Sequence, residues 1–225
     1  NIKPGSGIGS SAASAAGTVF GINYLLGNPY SATELVPFAM EGERLACGSA
    51  HADNVAPALL GGFTLVRSTD PLDVIKLPTP LELTTTVIHP KIEVKTADAR
   101  AVLKKRVSLE KAINQWANVG ALVASLYEED YDLLSRALVD EIVEPSRSIL
   151  IPYFAQLKSA CQEAGALGSG ISGSGPSVFA LSRGMTTAHK VAQAMQNVYE
   201  KTDIPFEIHV SPVKQSGVSI LEDIS

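Results

Sequence analysis

The stretch Lys3-Pro4-Gly5-Ser6-Gly7-Ile8-Gly9-Ser10-Ser11-Ala12-Ala13 constrains this chain more than any other. Its three glycines alternate with small or apolar residues. The backbone can therefore take positive φ, and no Cβ keeps a bulky anion off the main chain. Ser11-Ala12-Ala13-Ser14-Ala15-Ala16 follows at once and is strongly helix-compatible. A helix starting there aims its first NH groups and the positive end of its dipole at the same spot. The combination reads as a phosphate cradle, with hydroxyls at Ser10 and Ser11 as further donors or as ligands for a phosphate-bound cation. A flexible turn has the same composition, so the neighbours decide. No Gly-Lys-Ser/Thr ends the loop, which excludes a P-loop. The third glycine comes one residue early for a dinucleotide fingerprint, and no strand precedes it.

The run from Pro4 to Ala13 resembles the ATP loop of the GHMP kinases, the superfamily of galactokinase, homoserine kinase and mevalonate kinase. Far downstream, Gly170-Ile171-Ser172-Gly173-Ser174-Gly175-Pro176-Ser177-Val178-Phe179-Ala180 resembles the glycine-rich C-terminal motif of the same superfamily, in the right order. The resemblance implies ATP binding by Pro4, Gly5, Ser6, Gly7, Ile8, Gly9, Ser10 and Ser11 with Gly173, Ser174 and Gly175. It also implies an α+β, two-domain GHMP kinase-like fold. Residues 1–80 would be the latter part of an N-terminal domain like S5 domain 2, and residues 81–225 a ferredoxin-like C-terminal domain. The chain begins at Asn1, almost on the loop, whereas in these kinases a substantial stretch precedes it; the chain is therefore expected to be the later portion of a longer protein.

A length of 225 residues allows a well-buried core in one large domain or two small ones. The net charge of −5, without a lysine or arginine cluster, argues against a nucleic-acid surface and for a small-molecule partner. Cys47 and Cys161, far apart and outside any CxxC, favour free thiols in a reducing cytoplasm. No apolar run approaches the ~20 residues of a membrane span. Oligomeric state leaves no readable mark, and a homodimer stays open.

Along the chain, Ser11 to Leu26 reads as a helix apolar around most of its surface and hence buried. Ser31-Ala32-Thr33-Glu34 is a capping box opening a second helix to about Ala46, with Leu35, Ala39, Gly42 and Ala46 able to pack inward. Glu43 falls one step round from that stripe. By itself it reads as a solvated glutamate beside Arg44; by resemblance it is a magnesium ligand, with Ser11, for a hard cation that wants one or two protein oxygens. His51-Ala52-Asp53-Asn54-Val55-Ala56-Pro57-Ala58-Leu59-Leu60-Gly61-Gly62 is a poor transition-metal site and could be a self-capped turn. It is similar to homoserine kinases far more than to mevalonate kinase or galactokinase.

Strand character follows at Gly62 to Val66, Val74 to Leu77 and Leu81 to His89, punctuated by Pro71, Pro78, Pro80 and Pro90. Thr96 is a plausible N-cap with Arg100 one turn inside. Ser108 to Tyr127, with Ile113, Trp116, Val119, Gly120 and Val123, reads as core packing, as does Asp130 to Val139. A helix is expected from Pro152 to Glu163, another from Thr186 to Lys201, and strands at Ser177 to Ser182, Phe206 to Val213 and Val218 to Leu221.

Arg100 and Arg147 together offer the two guanidinium forks that a buried carboxylate asks for. By resemblance His51, Asn54, Thr96, Arg100 and Arg147 hold an amino-acid substrate, with Asn54 and Thr96 in the catalytic set. The activity this implies is transfer of a phosphoryl group from ATP, with Mg2+, to the side-chain hydroxyl of L-homoserine, giving O-phospho-L-homoserine for threonine biosynthesis. Asp53 could act as base, but a loose transition state puts little demand on early proton removal and favours positioning by Asn54. The alternatives are a GHMP kinase for mevalonate, a sugar or shikimate, or a non-catalytic interaction module. A serine hydrolase fails, since neither loop contains Gly-x-Ser-x-Gly.

Overall fold

The run Thr84-Thr85-Thr86-Val87-Ile88 supplies the β-branched residues that fit a pleated surface, and it forms the heart of strand β3 (Leu83–Pro90) in the larger of two sheets. The computed structural model describes residues 2, 4–94, 99 and 101–221, the Cys47 side chain excepted. Thr96 and Arg100 therefore lie outside the described residues. The chain is α+β and forms two compact units, one comprising Asn1–Ile8 and Pro80–Val213, the other Gly9–Thr79 and Lys214–Ser225.

In the first unit β3 is joined by β4 (Gly168–Ile171), β5 (Val178–Arg183) and β6 (Phe206–Pro212) in the antiparallel order β4-β5-β3-β6. With helices in both crossovers this is a βαββαβ order, the expected ferredoxin-like arrangement. Helices α7 (Phe154–Glu163) and α8 (Met185–Tyr199) close the core, where Ile88, Val178 and Ala180 from the sheet meet Leu157, Cys161, Val191, Met195 and Tyr199. Thr84 and Thr86 share the helix-facing side of β3 with Ile88. Burying them is tolerable because each hydroxyl donates, to Ser182 O at 2.9 Å and to Ala188 O at 3.1 Å.

Helix α4 (Leu109–Glu128), capped by Ser108, departs from expectation. Ile113, Trp116 and Val119 are exposed, Trp116 by 65%, while Ala112, Ser125 and Leu126 are buried. Its regular apolar spacing marks one face, but the inward face is a different one, which holds Ala112 and Leu126. Asn118 donates to Val139 O and Gln115 accepts from Glu141 N, tying α4 to the segment that follows α5 (Tyr131–Ala137).

The second unit packs α1 (Ser10–Leu25), α2 (Ala32–Cys47) and α3 (Ala52–Leu60) beside a hairpin of β1 (Phe63–Thr69) and β2 (Leu72–Leu77). The capping box is formed as read: Ser31 accepts from Glu34 N, and the Glu34 carboxylate accepts from Ser31 N. α1 is not buried all round. It presents Ala12 and Ala16 to the core, while Ile22, Leu25 and Leu26 are exposed, Leu25 by 83%. The close approach of α1 and α2 needs small residues, since a Cβ on Gly42 would stand 2.9 Å from the Ala15 Cβ. Residues 218–221 are not a strand. This segment docks on the end of α3 by a single bond, Val218 N to Ala58 O, and builds no ladder.

Candidate active site

Three glycines of the first loop adopt the left-handed conformation their spacing suggested, with φ of 74° at Gly5, 76° at Gly7 and 81° at Gly9. Alternation of this kind turns successive NH groups to one side and makes an anion-binding concavity. In the first unit this loop lies against the second glycine loop. A Cβ at Gly7 would stand 2.6 Å from the carbonyl oxygens of both Ser172 and Gly175, and one at Gly173 would stand 2.9 Å from Gly7 O. Backbone thus meets backbone, and only glycine fits at these two positions.

Serines seal the contact. Ser172 Oγ donates to Gly7 O at 2.9 Å, and Ser177 Oγ to Ser6 O at 2.6 Å. Ser6 and Ser177 are buried, and His89 Nδ1 lies 3.1 Å from Ser177 Oγ. The sequence offered little to single out these side chains. Ser172 and Ser177 flank the turn within the quoted motif, but His89 becomes visible only through the β3–β5 register, which places Ser177 next after the Ile88–Val178 pair.

Arg147 ends the short helix α6 (Glu144–Arg147) and joins the same unit's loop, its Nη1 donating to Gly173 O at 3.0 Å and its Nε to Ala99 O at 3.2 Å. Asp140 fixes the start of that helix by accepting from the NH groups of Ile142, Val143 and Glu144, and Lys158 pairs with Glu144. Arg147, Gly173, Asn118 and Phe179 are among the residues lining a cavity of about 310 Å³.

In the second unit Gly9 caps the start of α1, with no acidic residue in the first turn to repel an anion. The first intrahelical bond runs from Ala13 N to Gly9 O. Ser11 Oγ donates to Glu43 Oε1 at 3.1 Å, and Glu43 is only 4% exposed. The Gly42–Ala15 approach brings them together, because Ser11 sits one turn before Ala15 and Glu43 one residue after Gly42. The solvated-glutamate alternative therefore fails. Asn54, in the first turn of α3, stands behind Gly9, whose added Cβ would meet Asn54 Oδ1 at 3.4 Å. His51 is the residue before α3, half-buried, and Asp53 is exposed.

Among the described residues no cluster of three or more His, Cys, Asp or Glu could hold a metal. The Ser11–Glu43 pair offers instead two hard oxygen donors, the set suited to a cation that takes its other ligands from phosphate and water. Among the described residues no helix is long and apolar enough to cross a membrane.

Comparison with known proteins agrees with this layout. Residues 1–62 match the family model for the GHMP kinases N terminal domain and residues 122–201 that for GHMP kinases C terminal. The chain is 52% identical over 222 residues to a homoserine kinase of Chloroherpeton thalassium, covering 98% of this chain and 70% of that protein. A crystal structure of homoserine kinase from Cytophaga hutchinsonii is 56% identical with a TM-score of 0.94, over 96% of this chain and 69% of that one. A mevalonate kinase of L. major, 17% identical with a TM-score of 0.74 over 96% of this chain and 69% of that one, shares the fold.

Proposed function

The chain belongs to the homoserine kinases of the GHMP family, and from that premise we propose how its residues divide the work of the reaction. The reaction is ATP-dependent phosphorylation of the side-chain hydroxyl of L-homoserine, giving O-phospho-L-homoserine for threonine synthesis. Phosphoryl transfer through a loose transition state demands mainly positioning and neutralisation of charge. The observation that carries our reading is the sealed contact of the two glycine loops, with Arg147 bonded to Gly173 beside it.

Residues Pro4 to Ser11, with Gly173, Ser174 and Gly175, cradle the phosphates through main-chain NH groups. Mg2+ fits at Ser11 and Glu43, where it would neutralise phosphate charge. Arg147 holds the homoserine carboxylate with the part of its fork that Ala99 O and Gly173 O do not occupy. Arg100, Thr96 and His51 complete the amino-acid site. Asn54 orients the attacking hydroxyl, and no carboxylate needs to deprotonate it beforehand. Residues 1–80 and 81–225 are the two functional domains. The enzyme works in the cytoplasm, without nucleic acid or membrane, and its oligomeric form is open to a homodimer.

The assignment of Asn54 is tested by comparing Asn54→Ala with Asp53→Asn at saturating ATP. Turnover should fall by about 10²-fold or more in the first and remain within a few-fold in the second. A greater loss in Asp53→Asn would make the aspartate the proton acceptor and overturn the assignment.

A further inference from the structure

The carbonyls of Ser6 and Gly7 are both gripped from the second glycine loop. Gly7 O accepts from Ser172 Oγ, and Ser6 O accepts twice from Ser177, from Oγ at 2.6 Å and from N at 3.3 Å. In a trans peptide the N–H points opposite to the C=O of the same plane. Holding these two oxygens inward therefore turns the NH groups of Gly7 and Ile8 away from the grip; the Ile8 NH meets Ser6 Oγ at 3.4 Å, a long, weak bond that an anion would displace.

The donor direction in the grip is determined. Ser177 has one hydroxyl proton, and a carbonyl can only accept, so that proton lies toward Ser6 O. His89 Nδ1, 3.1 Å from the same Oγ, must then be the donor and carry the proton. His89, Ser177 and Ser6 are all buried, so water is poorly placed to replace any member. Glu207 lies opposite His89 in the β3–β6 ladder and pairs with Lys91 at 3.1 Å.

We propose that His89 and Ser177 are positioning residues for the nucleotide: His89 Nδ1–H orients the Ser177 hydroxyl, which holds the Ser6 carbonyl and keeps the NH groups of the first loop aimed at the polyphosphate. The proposal rests on the reading of Pro4 to Ser11 as the ATP loop. Neither residue touches a reacting atom, so their effect falls on nucleotide affinity.

The test measures MgATP dissociation by calorimetry, kcat and both KM values, and thermal unfolding, for the enzyme and its Ser177→Ala, His89→Leu and His89→Asn variants. Ser177→Ala and His89→Leu should weaken MgATP about fivefold in Kd and KM, the worth of one hydrogen bond. Turnover should stay within about twofold and the KM for homoserine should not move. His89→Asn places an amide nitrogen near the former Nδ1 and should restore wild-type affinity. Unchanged MgATP affinity in Ser177→Ala would overturn the proposal. So would a parallel fall of melting temperature, kcat and both affinities in all three variants, which would make the His89–Ser177 pair merely structural. A wild-type enzyme that turns over but is insensitive to substitution anywhere from Gly5 to Ser11 would instead refute the ATP-loop reading beneath it.

Discussion

Substituting Gly7 by alanine tests whether the two glycine loops must touch for nucleotide to bind. The φ of 76° at Gly7 places alanine in the left-handed region, at about 1–2 kcal/mol. The added Cβ would also meet two carbonyl oxygens at 2.6 Å, whereas ordinary contact begins near 3.4 Å, so the loops must part by about 0.8 Å. That separation lengthens the bonds from Ser172 Oγ and Ser177 Oγ, at 2.9 and 2.6 Å, beyond good geometry. With about 1 kcal/mol for each added to the strain, the loss is about 3–4 kcal/mol, or about 10²- to 10³-fold in ATP affinity. Gly5 is the internal control. It has φ of 74°, yet nothing lies within 4 Å of an added Cβ, so Gly5→Ala carries only the backbone strain and should weaken ATP about fivefold to thirtyfold. Calorimetric titration of both variants with MgATP separates strain from contact. Equal losses in the two would refute the argument that backbone-to-backbone approach matters here.

Two further predictions concern the fold. Burial pushes the Cys161 thiol and the Tyr199 phenol each up to about 12. The folded chain therefore keeps protons that the unfolded chain releases, so stability is complete below the ordinary range near pH 9–10 and falls as pH rises toward 12. The loss should be up to about 4 kcal/mol from the thiol and about 3 kcal/mol from the phenol in denaturant titrations at rising pH, and a Cys161→Ala, Tyr199→Phe double variant should flatten it; an equally steep loss in that variant would contradict the reasoning. Ser31→Ala removes both the acceptor for Glu34 N and a donor to the Glu34 carboxylate, and should reduce stability by about 1 kcal/mol, read as a shift in the urea midpoint at unchanged slope.

Features that depend on a local backbone demand were legible in the sequence. Gly5, Gly7 and Gly9 had to be glycine to take positive φ, Ser31 and Glu34 carry a complete capping box, and Thr84 to Ile88 could hardly be anything but strand. Features that depend on what an element meets were not. The spacing of Ile113, Trp116 and Val119 identifies a helical face but carries no sign for inward or outward, and the inward face of α4 proved to be Ala112, Ser125 and Leu126. The same ambiguity made α1 look buried when only its alanine side is. Val218 to Leu221 has strand-like letters, yet strand identity requires a partner ladder, and the segment bonds to the end of α3 instead. His89 joined the site through cross-strand register, a pairing between residues far apart in the chain. Glu43 lay between these cases: its position beside the packing stripe was readable, and its burial against Ser11 required the helix approach at Gly42.

In the proposed mechanism two glycine loops and an arginine fork direct the γ-phosphoryl group of ATP onto an amino acid's alcohol. Phosphorus NMR of reactions containing MgATP and one acceptor at a time, L-homoserine, mevalonate, shikimate or galactose, tests it most directly. A phosphomonoester signal and matching ADP are expected with L-homoserine alone, and both are lost in Gly7→Ala at limiting ATP. Faster phosphorylation of any acceptor lacking an amino group would contradict that mechanism.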